Sequence, residues 1–231
     1  MANYSHSYRA PSLDELYNNG PHPGNLTFEI GNPNLESEQN NGIDLSLRHH
    51  STKIRAEVNY FSYQIQRFVY LAPTGRVREG LIEADYLQRD TRYTGAEGKF
   101  DVSLHPNLWL NLSTDTVRAE LTGTHVPLPR IPPVRGHIGF DAHWGGFDVR
   151  PELILTNAQK RIFTTETPTA GYAVVDLTSS YTLARTHNLH VLSATLFNAG
   201  DNLYRNHLSF LKDFAPEIGR GVKVSYTVQW F

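Results

Sequence analysis

The 231-residue chain has no cysteine and a formal net charge of −2. That excludes a disulfide framework and a thiolate metal site, and it gives no reason to expect nucleic acid. Mean hydropathy is negative and no run approaches the roughly 18 apolar residues of a membrane helix. A transmembrane barrel survives that test, because its strands alternate faces and average out as polar.

In chain order, Met1-Ala2-Asn3-Tyr4 is neither basic nor followed by an apolar core, so it does not read as a secretory signal. A polar strand end follows and breaks at Ala10-Pro11, since the residue before proline is pushed out of helical space. Ser12 and Glu15 have the spacing of a capping box around a short Leu13–Tyr17 turn. Asn18-Asn19-Gly20-Pro21 and Gly31-Asn32-Pro33-Asn34 are turn clusters. Together these describe a long, structured loop between two strands.

Nine segments of period two come next. Ile43, Leu45 and Leu47 alternate with Asp44, Ser46 and Arg48. Ile54, Ala56 and Val58 begin the second, and its apolar parity then shifts to Phe61, Tyr63 and Ile65, which predicts a bulge. The others centre on Ala96–Leu104, Leu108–Leu112, Val134–Trp144, Val149–Leu155, Val175–Leu183, Leu189–Asn198 and Val222–Trp230. Helical periods are missing. Short turns are expected at 50–53, 105–107, 145–146 and 184–188, and long loops at 10–40, 71–85, 122–133, 157–171 and 199–219. This asymmetry is that of an outer-membrane barrel, with short turns on one side and long loops on the other. A soluble sandwich also alternates, but it does not need long loops at one end only, or Trp144 and Trp230 beside the short turns. In a barrel those tryptophans fit the interfacial girdle.

The sequence resembles the TonB-dependent outer-membrane receptors. The matching residues are Arg9-Ala10-Pro11-Ser12-Leu13, Glu15-Leu16-Tyr17, Gly31-Asn32-Pro33-Asn34-Leu35, Glu38, Asn41 and Ile43 to Arg48, with further motifs continuing to the last residue. The chain ends in Trp230-Phe231, an aromatic finish of the barrel type, although its apolar face shares parity with Trp230 rather than Phe231. The resemblance implies an all-β fold: an antiparallel transmembrane β-barrel wall of about nine C-terminal strands of a 22-strand barrel, one domain over residues 1–231. Signal, TonB-contacting segment and plug are expected to lie outside this chain. It further implies a Gram-negative outer-membrane location among outer-membrane lipids, coupling to TonB–ExbB–ExbD through the plug, and uptake of a scarce solute. The alternatives are a small standalone barrel acting as an adhesin or structural protein, or an outer-membrane esterase.

No catalytic set is legible: Gly-x-Ser-x-Gly, His-Glu-x-x-His and a glycine-rich phosphate loop are all missing. His137, Asp141 and His143 share one face, and Asp141 and His143 stand about 6.6 Å apart along a strand. A metal could bridge them, or they are ordinary polar residues of a wet barrel interior. His49 and His50 point to opposite faces. Loop motifs Asn19–His22, Phe28–Gly31, Thr94–Gly98, Pro129–Pro132 and Asn206–Arg220 resemble the zinc-type branch of the receptors, whose members take up zinc and sometimes haem. No resident cofactor is implied; zinc or haem enters only as transported ligand. The loop candidates are His22, stiffened between Pro21 and Pro23, with His207 and Asp213.

Overall fold

The computed structural model describes residues 1–231. Its elements are β1 (Ala2–Arg9), α1 (Leu13–Tyr17), β2 (Asn19–His22), β3 (Thr27–Ile30), β4 (Glu38–His50), β5 (Ile54–Arg78), β6 (Leu81–His105), β7 (Leu108–Leu121), β8 (Arg135–Trp144), β9 (Phe147–Thr156), β10 (Tyr172–Ala184), β11 (Asn188–Phe197) and β12 (Gly221–Trp230). Ten strands form one continuous antiparallel wall in the order β1-β4-β5-β6-β7-β8-β9-β10-β11-β12, and β2 and β3 lie off that path. No helix is long and apolar enough to cross a membrane, which says nothing of strands.

Cross-strand register carries the alternation of the sequence through the whole wall. One row of partners runs Ala56, Phe100, Leu112, Ile138, Leu153, Val175. On the opposite face, Arg48 pairs Glu57 and Arg135 pairs Asp115, each as an ion pair between neighbouring strands. The apolar face has nothing packed on it: Leu47, Val58, Val222 and Val224 are all more than half exposed. Only 26 of 231 residues are buried, far too few for two sheets packed face to face. The sandwich alternative is thereby excluded. The chain is an open piece of barrel wall, with β1 and β12 unpaired on their outer edges.

The connections split by length as expected. Segments 51–53, 106–107, 145–146 and 185–187 are tight, while 10–37, 122–134, 157–171 and 198–220 are long and gather at the other end. Trp144, Phe147 and Trp230 stand exposed beside the tight turns. Trp230 continues the apolar parity of Val222 to Val228, and Phe231 donates its backbone N–H to the His187 carbonyl.

Three expectations change. The polar strand end is the full eight-residue β1, so the wall has ten strands rather than about nine. Residues 71–85 are not a loop: β5 and β6 are 25 residues each and continue as a paired ribbon to a turn at Glu79-Gly80. Pairing with the flanking strands β4 and β7 ends at Gln66 in β5 and begins at Thr91 in β6, so the outer part of this hairpin stands beyond the wall. Finally, pairing runs unbroken from Ile54 to Ile65, with no bulge at the parity shift; register slips occur later, between Ile65/Phe68 and Pro73/Val77. Phe61 and Tyr63 simply occupy the polar face. There a Cβ on Gly95 would meet the Phe61 ring at 2.3 Å, and one on Gly42 would meet Tyr63 at 2.5 Å. Each ring lies in the space its paired glycine leaves open.

Candidate functional site

The long segments are tied to the wall by charged residues rather than left free. Ser12 accepts from the Glu15 N–H, Glu15 accepts from the Ser12 N–H, and the helix cap closes as its spacing predicts. Arg9 reaches from β1 to both Glu15 and Glu38, donating to Glu38 at 2.6 and 2.8 Å. Glu38 in turn accepts the Val69 N–H at 2.7 Å, which fixes β5 just past its first register slip.

The β2–β3 hairpin lies along β6, with β3 parallel to it. Its anchor is Glu29, 2% exposed, which accepts from Asn25, Thr27, Tyr86 and Asn18. Burial pushes this carboxyl up, yet the donors from Asn25, Tyr86 and Thr27 together hold it below its usual value. It is a satisfied buried anion.

These elements enclose a cavity of about 390 Å³. The hairpin supplies Asn25 and Thr27, β5 and β6 supply Phe68, Tyr70 and Tyr93, and the segments after β7, β9 and β11 supply Arg130, Glu166, Phe210, Lys212 and Asp213. Beneath it sits the only sizeable apolar cluster of the chain: Tyr70, Ala72, Ala119, Leu128 and Phe163. Arg130 lays its guanidinium 3.2 Å over the Phe210 ring. Burial pulls Arg130 down to about 10, with Glu166 and Glu29 opposing, so it remains a cation at neutral pH.

Glu166 joins three of the long segments. Its carboxylate accepts the Arg130 N–H at 2.9 Å and the Phe163 N–H at 3.2 Å, and lies 3.6 Å from Lys212 Nζ. His207, 2% exposed, places Nδ1 3.1 Å from Thr169 Oγ1 and 3.3 Å from Lys212 Nζ. An ammonium only donates, so Nδ1 accepts and the imidazole proton belongs on Nε2. Nε2 itself has no hydrogen-bond partner, since Glu166 is 3.9 Å away. Burial and the Lys212 charge draw the His207 pKa below its ordinary value, outweighing Glu166 and Asp213.

The sequence candidates do not gather into one set: His207 and Asp213 lie near enough for the Asp213 charge to act on His207, but each has its own partner. His22 is exposed at the end of β2 and pairs Thr27, His207 is held by Thr169 and Lys212, and Asp213 accepts from the Thr167 hydroxyl. On the wall, His137 pairs Glu152, Asp141 pairs Arg150 and His143 pairs Asp148, each on its own. No three His, Asp or Glu side chains are gathered as a metal-holding set. On the wall the reason is geometric: a cross-strand partner able to carry the opposite charge takes up each of His137, Asp141 and His143 before a third donor reaches it. Arg130, Glu166 and Lys212 went unnoticed in the sequence, being single polar residues in irregular segments. The Pro129–Pro132 and Asn206–Arg220 motifs covered Arg130 and Lys212 without assigning them a role, and no motif covered Glu166.

A family model described as TonB dependent receptor-like, beta-barrel matches residues 1–203. The chain belongs to this family. Among solved structures, the copper transporter OprC superposes with a TM-score of 0.81 at 22% identity, covering 98% of this chain and 36% of that one. A mutant form of the ferric enterobactin receptor PfeA from Pseudomonas aeruginosa gives 0.71 at 16% identity, covering 100% and 38%. The FrpB iron transporter from Neisseria meningitidis gives 0.70 at 13%, covering 100% and 35%. At these identities the likeness establishes the fold. The chain spans little more than a third of the length of these structures, and they are receptors and transporters rather than enzymes.

Proposed function

We propose that this wall forms part of an outer-membrane receptor that imports a scarce metal-bearing solute, energised through TonB–ExbB–ExbD acting on a plug domain. The apolar face meets lipid, the polar face lines the lumen, and the long segments face outside. The observation that carries the reading is the cavity built by four of those segments and the extended hairpin on one end of such a wall. OprC and PfeA, which share the fold, are named for copper and ferric enterobactin.

Of zinc, haem and a metal chelate, the cavity favours an organic chelate. Its lining combines the aromatic rings of Phe68, Tyr70, Tyr93 and Phe210 with the guanidiniums of Arg76 and Arg130, and no three-donor set awaits a bare ion. Several motifs of the zinc/haem-type branch frame it, through Asn25 and Thr27 beside the first two and Arg130 within another. In this reading His22, His207 and Asp213 position the solute or the loops rather than ligate metal directly.

The test is uptake by cells lacking other outer-membrane metal receptors and expressing the complete receptor. Isotopically labelled metal is offered as the aquo ion, as haem and as a chelate, with and without a protonophore. Accumulation of a chelate that stops when the proton gradient collapses is the expected result. Energy-dependent uptake of aquo zinc, lost in a His22→Ala, His207→Ala variant, would restore direct ligation. No energy-dependent uptake of any form removes the reading.

A further inference from the structure

On the apolar face, the rows of β5, β6 and β7 change character toward the end that bears the long segments. The row Leu45, Tyr60, Ala96, Thr116 is followed by Ile43, Ser62, Thr94, Arg118, and then by Asn41, Gln64, Arg92, Glu120. Arginines thus appear on the lipid side where the apolar band stops. Between these rows lies a depression of about 550 Å³, floored by Thr94, Ala96 and Thr116 with Tyr60 at its side and Arg92 and Arg118 on its rim.

The charges there are not mutually cancelled. Glu120, which also lines the depression with His125, is shared among Arg161, His125 at 2.9 Å and Arg118 at 3.4 Å, so one carboxylate faces three guanidiniums there once Arg92 is counted. Asp90, one row beyond, accepts the Arg67 N–H. Arg92 is exposed, and its side chain has neither ion pair nor hydrogen bond within the chain. Glu120 therefore orders the rim without neutralising it.

Resting on the outer-membrane reading above, we propose that this depression holds a phosphate-bearing lipid of the outer leaflet. Its phosphate would be gripped by Arg92 and Arg118 and an acyl chain would lie along the Ala96–Thr116 floor. Two guanidinium forks match phosphate oxygens, and arginine is weakly hydrated enough to work at a lipid interface. A floor of small side chains between larger neighbours leaves a slot for a chain. The slot is continuous with the apolar band, which singles out a lipid over a soluble anion.

The complete receptor, purified through repeated detergent exchange, is analysed by native mass spectrometry after incubation with bisphosphorylated lipid A, with dephosphorylated lipid A, or with inorganic phosphate. The wild type is expected to retain the phosphorylated lipid. An Arg92→Gln, Arg118→Gln variant should lose at least about tenfold in retention, as expected when charge-assisted hydrogen bonds are removed, and so should the dephosphorylated lipid. Equal retention by the variant overturns the site. Full displacement by inorganic phosphate overturns the lipid assignment. Membrane fractionation of both proteins separates the two levels: absence from the outer membrane sinks the underlying reading, whereas correct fractionation without lipid retention sinks this inference alone.

Discussion

His207 is neutral because it is buried beside an ammonium, and that gives it a definite response to acid. Its folded-state pKa lies below the ordinary 6.5, so the unfolded or opened segment binds the proton more readily. Stability contributed by the neutral imidazole is therefore present above about 6.5 and is lost as pH falls below that value toward the depressed one. Lys212, Arg130, Glu166 and Asp213 are the charged groups acting on it. Hydrogen exchange corrected for intrinsic rate should show segments 157–171 and 198–220 losing protection between about pH 7.5 and about pH 5, the range in which histidines titrate. A His207→Gln variant should show a flat pH response there. The same residue marks what the sequence conceals: its place in a loop was legible, but not its burial. Nothing local to Asn206-His207-Leu208 announces that Glu166 and Lys212 will enclose it.

Among the elements, strand faces were read well and strand lengths were not. Alternation places Phe140 and Asp141, or Val175 and Asp176, on opposite sides of the wall, and register agrees. Arginine at Phe140 or Val175 should reduce outer-membrane yield of the complete receptor far more than arginine at Asp141 or Asp176. A midplane arginine on the lipid side costs about 2–4 kcal/mol, while polar-face positions stay wet. Asp176 also accepts the Asn198 N–H, so its replacement is expected to loosen the last loop without blocking insertion. Similar yields for all four variants would show the faces to be misassigned. The misread lengths have one cause: beyond the wall the β5–β6 ribbon is covered by β3 and the long segments rather than left open on one face. Its burial there is irregular, and the period-two signal fades at Val69-Tyr70, both buried although adjacent. Likewise Phe61 and Tyr63 mimicked a bulge because aromatic rings sit over Gly95 and Gly42, a pairing across strands that no single strand reveals.

At the scale of the whole molecule, the two unpaired edges decide what this wall does by itself. Exposed N–H and C=O groups at β1 and β12 have no water to satisfy them in a bilayer. Refolded alone in detergent, the chain should give no heat-modifiable, protease-resistant monomer on unboiled gels. Closed barrels of about this strand number do exist, so a compact monomer is a physically available outcome that would favour the standalone barrel. The scarcity of buried side chains has a thermodynamic corollary. Most of the wall is held by a ladder of backbone hydrogen bonds, 110 of them within its regular elements, while its greasy face is covered by lipid or detergent both before and after melting. Heat capacity rises on unfolding because apolar surface becomes hydrated. In micelles that exposure is largely withheld, so calorimetry of the closed barrel should show an increment well below the roughly 12–15 cal/mol/K per residue of soluble domains. With so little curvature in its free energy, the barrel should also show no loss of stability on cooling toward freezing.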